Sequence, residues 1–255
     1  MYAEERQQAI AEVISNRGRV SVADLSTTYG VTTETVRRDL AVLDRLGVVR
    51  RVHGGAVPAS ALTATEPGVG EREYTRAEQK DAIAVAALAY LPLNGGSAVF
   101  DAGTTTGRLA ALLSNERELT LITNSVPIAA RVAPLPGVSL RILGGRVRGT
   151  TQAAVGEEAL SALEWLRVDV AFIGTNALSV GHGLSTPDSD EAAVKRAMVR
   201  TANHVVVLSD SSKIGREHLV SFGRLNNIDV LITDDEIDET DRKSLTDNGI
   251  EVVIA

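Results

Sequence analysis

"FDAGTTTGRLAALL" spans residues 100–113 of this 255-residue chain. An apolar run ends in Asp101, Ala102 and Gly103, three threonines follow, and Leu109, Leu112 and Leu113 then recur at helical spacing. The pattern predicts a strand, a tight turn and a helix. Gly103 lets backbone approach closely, and the hydroxyls and N–H groups of Thr104, Thr105 and Thr106 at a helix N-terminus suit an anion, phosphate above all. Taken alone, the same string also fits an ordinary strand–helix junction.

Working outward, the junction repeats. Seven apolar runs occur beyond residue 76: "SAVFDAG" (97–103), "LTLITNS" (119–125), "VSLRILGG" (138–145), "VDVAFIGTN" (168–176), "HVVVLSD" (204–210), "DVLITDD" (229–235) and "IEVVIA" (250–255). They are continuous rather than alternating, and helical patterns separate most of them. That combination predicts a mostly parallel sheet covered on both faces, an α/β domain over residues 76–255. Ligands of such sheets lie beyond the carboxyl ends of the strands. Asp101, Gly103, Thr104, Thr105, Thr106, Asn124, Asn176, Asp210 and Lys213 all fall at such ends, so they are expected to converge on one pocket. Lys213 offers a cation for phosphate. Asp101, Asn124, Asn176 and Asp210 offer hydrogen bonds for sugar hydroxyls. Glu191 and Lys195 join the candidate set, although their i, i+4 spacing also fits a plain surface ion pair.

Residues 1–57 read differently. A first helix runs to about Arg17. Ser21 and Asp24 make a near capping box for a short second helix that stops at Gly30. Thr32 caps a third helix whose stripe is Val36, Leu40, Leu43 and Leu46, with Gly47 as its stop. "VVRRVHGGAV" (48–57) then predicts two strands about a turn. Helix-turn-helix plus wing is a DNA-binding arrangement. Thr32, Thr33 and Thr35 stand at the groove-reading end of the third helix. Arg37 and Arg38 suit guanine edges or phosphates, and Arg50, Arg51 and His53 suit the DNA backbone or minor groove. The whole chain carries a net charge of −7, yet residues 36–53 hold five Arg against two Asp. A local patch binds phosphates whatever the global charge.

Between the two units, "PASALTATEPGVGEREYT" (58–75) has two Pro, two Gly and no periodicity, and is read as a linker. Cysteine is absent, which removes disulfides and thiolate chemistry. No 18-residue apolar run or secretory h-region occurs, so a cytoplasmic protein away from membranes is expected. His53, His182, His204 and His218 are scattered, so no metal site is expected, and no cofactor is called for. The acidic "TDDEIDETDRK" (233–243) is read as capping the last helix.

"VTTETVRRDLAVLDRLGVVRRVHGGAV" (31–57) resembles the DNA-binding signature of the DeoR family of bacterial transcriptional regulators. From residue 76 onward "DAGTTT", "ITNS", "LGGRVR", "VGEEAL", "FIGTNAL", "GLSTPDSDEAAVKRAM", "LSDSSKIG" and "DVLITD" resemble the sensor domain of that family. The resemblance implies a winged helix-turn-helix followed by a sensor similar in fold to ribose-5-phosphate isomerases and CoA transferases. It also implies operator DNA as a partner and a homo-oligomer, dimer or tetramer. "FIGTNALSVGHGLSTPDSDEAA" and "HLVSFG" are similar to actinobacterial repressors of phosphotransferase-system and fructose genes, which implies fructose 1-phosphate or fructose 6-phosphate as effector. A sugar-phosphate isomerase-like enzyme with an accessory DNA-binding module is the alternative, since Asp188, Asp190, Glu191, Lys195, Asp210 and Lys213 include the acids and bases it would need. Sensing is preferred, because turnover would destroy the signal.

Overall fold

A computed structural model of the chain describes residues 2–17, 20–52, 54–58 and 67–255, apart from the side chains of residues 16, 17, 50, 52 and 58. His53, one of the expected DNA contacts, lies outside the described residues, as does the side chain of Arg50.

The N-terminal part runs α1 (Ala3–Arg17), β1 (Val20–Ser21), α2 (Val22–Tyr29), α3 (Thr33–Arg45), β2 (Val49–Val52) and β3 (Gly55–Pro58). Its helix ends are set locally. Ser21 Oγ accepts the Asp24 N–H at 3.0 Å to start α2, and Gly30 stops it in the left-handed region at φ 62. Thr32 Oγ1 accepts the Thr35 N–H at 3.2 Å to start α3. Ile10, Ile14, Val20, Leu25, Val36, Leu40, Leu43, Val49 and Ala56 form one small buried core. Leu46, expected in that stripe, is instead 69% exposed, because α3 already ends at Arg45 and Leu46 is its C-cap. The strands order β1-β3-β2 as antiparallel pairs. Gly55 is required there: a Cβ would run into the Val20 backbone where β1 crosses β3.

The larger part continues α4 (Val69–Tyr74), α5 (Ala77–Ala87), β4 (Gly96–Phe100), α6 (Thr104–Ala111), β5 (Leu119–Thr123), α7 (Val126–Val132), β6 (Val138–Ile142), β7 (Arg146–Val147), β8 (Ala154–Val155), α8 (Glu157–Glu164), β9 (Val168–Gly174), β10 (Ala177–Ser179), β11 (Gly183–Thr186), α9 (Ser189–Thr201), β12 (Ala202–Leu208), β13 (Val220–Gly223), β14 (Val230–Thr233), α10 (Glu239–Asp247) and β15 (Glu251–Ile254). The seven apolar runs become one seven-stranded parallel sheet in the order β15-β14-β12-β9-β4-β5-β6. Two apolar layers clad it. Ile83, Leu109, Ile128 and Val132 of α5–α7 cover Phe100 and Phe172 on one face. Leu163, Met198 and Leu245 of α8–α10 cover Val99, Ile173 and Val207 on the other. The chain enters at β4, winds outward to β6, and returns to β9 to wind the other way. The direction reverses between β4 and β9, which is where open α/β sheets hold ligands.

Two features depart from the sequence reading. A small antiparallel sheet, β10-β11-β13, packs beside α9 and had no alternating pattern to announce it. The stretch read as a linker also begins and ends in regular structure. Pro58 closes β3 and Val69–Tyr74 is helical, held by the Val69 N–H on the Thr150 carbonyl at 2.8 Å.

Candidate functional site

Two surfaces carry the candidate chemistry. On α3 the side chains of Thr32, Thr33, Arg37 and Arg38 are exposed, and Thr35 is half-buried. Arg51 on β2 is exposed as well. Glu34 lies 3.7 Å from Arg37 and 3.6 Å from Arg38, exposed pairs worth little. The opposite edge of α3 is pinned from within. Asp39, 3% exposed, accepts Arg6 Nε at 2.6 Å and Arg6 NH2 at 3.3 Å, and Gln7 Nε2 at 2.9 Å. This buried pair fixes α3 on α1. Sequence reading passed over it, because its partners stand 33 positions apart.

The second site lies at the β4/β9 reversal. No side chain caps α6, and residues of its first turn line a crevice at the carboxyl ends of β4 and β9. Gly103, Thr104, Thr105, Asn176, Glu191, Lys195 and Lys213 line that crevice together with Arg72. The remaining expected residues stand behind the wall. Thr106 Oγ1 donates to the Asp101 carbonyl at 2.7 Å and is fully buried. Asn124 Oδ1 accepts the Ala102 N–H at 3.0 Å while its Nδ2 donates to the Ala154 carbonyl at 3.1 Å, so its amide holds the β4–α6 turn. Asp101, 1% exposed, accepts the Gly174 N–H at 3.1 Å and pairs with Lys195 Nζ, which also donates to the Gly174 carbonyl at 3.0 Å. Lys195 thereby spans the reversal point.

Glu191 and Lys195 are not a surface pair. Both are 4% exposed and each turns to a different partner. Lys195 goes to Asp101, whereas Glu191 accepts Arg148 NH1 at 2.5 Å and the Thr151 hydroxyl. Asp188 caps α9 through the Glu191 N–H at 2.9 Å and meets Arg148 Nε at 3.3 Å. The carboxylates an isomerase would use as base are thus committed to cations, which argues against the enzyme alternative. Burial pushes the Asp101 carboxyl above its usual range, against the pull of Lys195.

Asp210 shares its carboxylate between Lys213 at 3.3 Å and Arg76 at 3.4 Å. Although burial pushes the Asp210 carboxyl up, Lys213 and the Ser212 hydroxyl hold it below its usual range. Arg76 adopts a left-handed φ of 52, which costs a non-glycine residue about 1 kcal/mol. Its guanidinium reaches Asp234 and Glu236, each at 3.0 Å. The acidic run therefore does more than cap α10, where Asp238 accepts the Thr240 N–H at 2.8 Å. Arg72, Arg76, Lys80, Arg148 and Thr151 were missed by sequence reading, since each depends on a long-range contact. A wider cleft of about 450 Å³ adjoins the crevice and shares Gly103 and Thr104; Glu73, Asp81, Arg108, Ser125 and Arg131 also line it. Among the described residues no acid–histidine group is placed to hold a metal, and no helix is long and apolar enough to cross a membrane.

The model of the "DeoR C terminal sensor domain" matches residues 75–235, and that of the "DeoR-like helix-turn-helix domain" matches residues 6–61. This chain belongs to the DeoR family. It is a helix-turn-helix regulator and not an enzyme. The HTH-type transcriptional regulator GlpR of Haloferax volcanii is 38% identical over 99% of this chain and 98% of its own. A putative aga operon transcriptional repressor of Escherichia coli O157:H7 is 33% identical over 98% and 93%. Ribose 5 phosphate isomerase A from Neisseria gonorrhoeae aligns with 56% of this DeoR-family chain and 55% of its own, at 13% identity and a TM-score of 0.40.

Proposed function

We propose that this DeoR-family regulator represses sugar-uptake or catabolic genes and leaves its operator when a phosphorylated sugar binds the sensor. The observation that carries the reading is the uncapped start of α6 facing Lys195, Lys213 and Arg72 in a buried crevice. Backbone N–H groups plus cations in low dielectric favour phosphate over a neutral sugar. The phosphate sits at Gly103–Thr105, and the sugar extends into the adjoining cleft. Fructose 1-phosphate and fructose 6-phosphate are the first effectors to test, on the likeness of residues 172–193 and 218–223 to repressors of fructose genes.

Residues 1–57 bind operator DNA through Thr32, Thr33, Thr35, Arg37, Arg38, Arg50, Arg51 and His53. Residues 76–255 sense the effector, and 58–75 connect the two. The working form is a cytoplasmic homo-oligomer, dimer or tetramer, whose paired winged helices read repeated half-sites. The effector must prefer the DNA-free conformation by about 1–3 kcal/mol to act as inducer.

Thermal unfolding against phosphohexoses and their free sugars tests the reading. A ligand at a hundredfold excess over Kd adds about 2.7 kcal/mol. A rise in Tm with one phosphohexose and none with its free sugar is expected, and the same compound should release operator DNA in a mobility-shift assay. Stabilisation by the free sugar alone would remove the phosphate from the mechanism.

A further inference from the structure

The seven-stranded sheet has two outer strands, β6 and β15. Successive residues of a strand turn their N–H and C=O groups to alternate sides. The Gly137 carbonyl accepts the Leu119 N–H at 3.0 Å, and the Leu143 N–H donates to the Thr123 carbonyl at 2.8 Å. The odd-numbered residues of this stretch therefore face β5, and Val138, Leu140 and Ile142 turn their backbone outward. The Val138 N–H donates to the Leu135 carbonyl at 3.1 Å. Among the described residues, the Val138 carbonyl and both backbone groups of Leu140 and Ile142 meet no partner. Natural sheet edges are blunted by Pro, lysine, a bulge or a covering element. No Pro, lysine or bulge interrupts β6, and Ile142 at its end is 55% exposed.

The chain around this edge has a composition of its own. Residues 119–156, which build β5, α7, β6, β7 and β8, contain no Asp, Glu or Lys, although the chain holds 33 acids. The charged groups there are Arg131, Arg141, Arg146 and Arg148, and the last two pair with Asp190 and Glu191. Loss of Asp, Glu and Lys with Arg retained distinguishes protein interfaces from free surface. On α7, which packs against β6, Val126, Pro127, Ala130 and Ala133 are exposed. Apolar surface thus continues from the strand onto its covering helix.

We infer that the β6 edge docks a second copy of this chain, the two strands pairing antiparallel about a two-fold axis at Leu140. Backbone and side chains select the same register. Each Leu140 N–H donates to the other copy's Leu140 carbonyl, and each Ile142 N–H to the other copy's Val138 carbonyl. Val138 and Ile142 then meet across the axis on the face that α7 covers, while Arg141 meets Ser139 on the opposite face. An axis at Arg141 would set like charges directly against each other. An axis at Ser139 would leave Ile142 outside the ladder. The other edge offers less: the Glu251 N–H on the Asp229 carbonyl and the Ala255 N–H on the Thr233 carbonyl leave only Val252 and Ile254 of β15 facing outward. Self-pairing of β6 also closes the assembly, whereas β6 on another copy's β15 would run on as a filament. This rests on the homo-oligomer proposed above and is independent of its effector.

Sedimentation velocity of the full chain over a range of concentrations tests it. The wild type should be a dimer, or a tetramer built from that dimer. Ile142→Pro removes an outward N–H and no bond of the β5–β6 ladder, a place where edge strands accept proline. The pair loses a hydrogen bond on each side of the axis, so Kd of the β6 contact should rise about tenfold or more. Because the chain has no cysteine, introduced thiols report the register. Ser139→Cys combined with Arg141→Cys sets facing positions about 4.5 Å apart, within disulfide reach, and should give a cross-linked dimer on a non-reducing gel. Either change alone leaves like positions about 7–8 Å apart and should cross-link poorly. Wild-type Kd in folded Ile142→Pro would overturn the inference, as would double and single cysteine variants that cross-link equally. Filaments that lengthen with concentration would overturn it too. If Ile142→Pro does not fold, the cysteine comparison decides alone. A wild type that is monomeric throughout would sink the homo-oligomer reading and this inference together, whereas an oligomer indifferent to all these changes would remove only the latter.

Discussion

The winged helix and the sensor handle charge in opposite ways. On α3 the charged groups proposed to meet DNA stand in water, and the nearby pairs with Glu34 are long and exposed. At the β4/β9 reversal the charged groups are buried or half-buried and already paired: Lys195 with Asp101, Glu191 with Arg148, Lys213 with Asp210. A surface that reads DNA must meet its partner without first breaking contacts, and exposed arginines do that at little cost. A sensor must change when its ligand arrives, so its charges need a resting partner that an anion can displace. The difference teaches where each kind of mutation acts, on binding alone or on stability as well.

The largest effect should come from Lys195→Met. Removing one partner of a buried pair costs about 3–5 kcal/mol, here by leaving Asp101 uncompensated. Urea denaturation of the sensor should show the loss, and the deficit should shrink on acidification. Burial already raises the folded-state pKa of Asp101 above its usual 3.8, and loss of Lys195 raises it further. The folded chain then keeps a proton that the unfolded chain has released, so the penalty grows with rising pH and fades as pH falls toward the unfolded value. A deficit independent of pH would mean that Asp101 finds another cation.

Asp39→Ala should be the winged-helix counterpart, costing about 3 kcal/mol by stranding Arg6 beside α3. The comparison predicts that the loss stays confined to that region, with DNA affinity lowered and effector affinity unchanged. An equal loss of effector affinity would show that the two regions are not energetically separate.

Lys213→Ala should weaken effector binding by about 1.5–3 kcal/mol, the range of a hydrogen bond to a charged group, while operator affinity without effector stays near wild type. Fluorescence anisotropy with labelled operator, with and without phosphohexose, measures both. Retained response would place the phosphate elsewhere. Arg37→Ala should do the reverse: operator affinity falls by about 1–3 kcal/mol if the side chain reads a base, or the salt slope drops by about one if it holds a phosphate. Folded-state stability should barely change, because the exposed pair with Glu34 contributes little.

The smallest effect is a proton. Burial and the nearby Lys213 lower the Lys80 ammonium to about 8 from its usual 10.5. A phosphate bound in the crevice that Lys213 lines is expected to raise that value again through its charge. Binding should therefore take up a fraction of a proton between pH 8 and 9, and affinity should weaken as pH rises through 8. Calorimetry in buffers of different ionisation enthalpy reads the uptake. In Lys80→Met it should vanish.

What could be read from the chain by itself were the features whose causes lie within a few residues. The caps Ser21 and Thr32, the stop at Gly30, the apolar stripe of α3 and the continuous runs of the seven parallel strands all rest on local hydrogen bonding and on burial of one face or both. The strand-end rule also brought Gly103, Thr104, Thr105, Asn176 and Lys213 to one crevice. Local spacing failed where the partner is distant. Glu191 and Lys195 stand one helical turn apart, yet each spends its charge on a group more than 40 positions away, Arg148 and Asp101 respectively. Asn124 carries the right chemistry for a sugar hydroxyl, but both ends of its amide are taken by backbone. Lys80 lies in an unremarkable helix pattern, and Arg72 in a stretch read as linker. Only the winding of the sheet, which returns β9 beside β4, decided which charges meet. The physical reason is dielectric: a buried charge must find its counter-charge wherever the fold places one, and the fold is set by apolar burial that is indifferent to how far apart those residues lie in sequence.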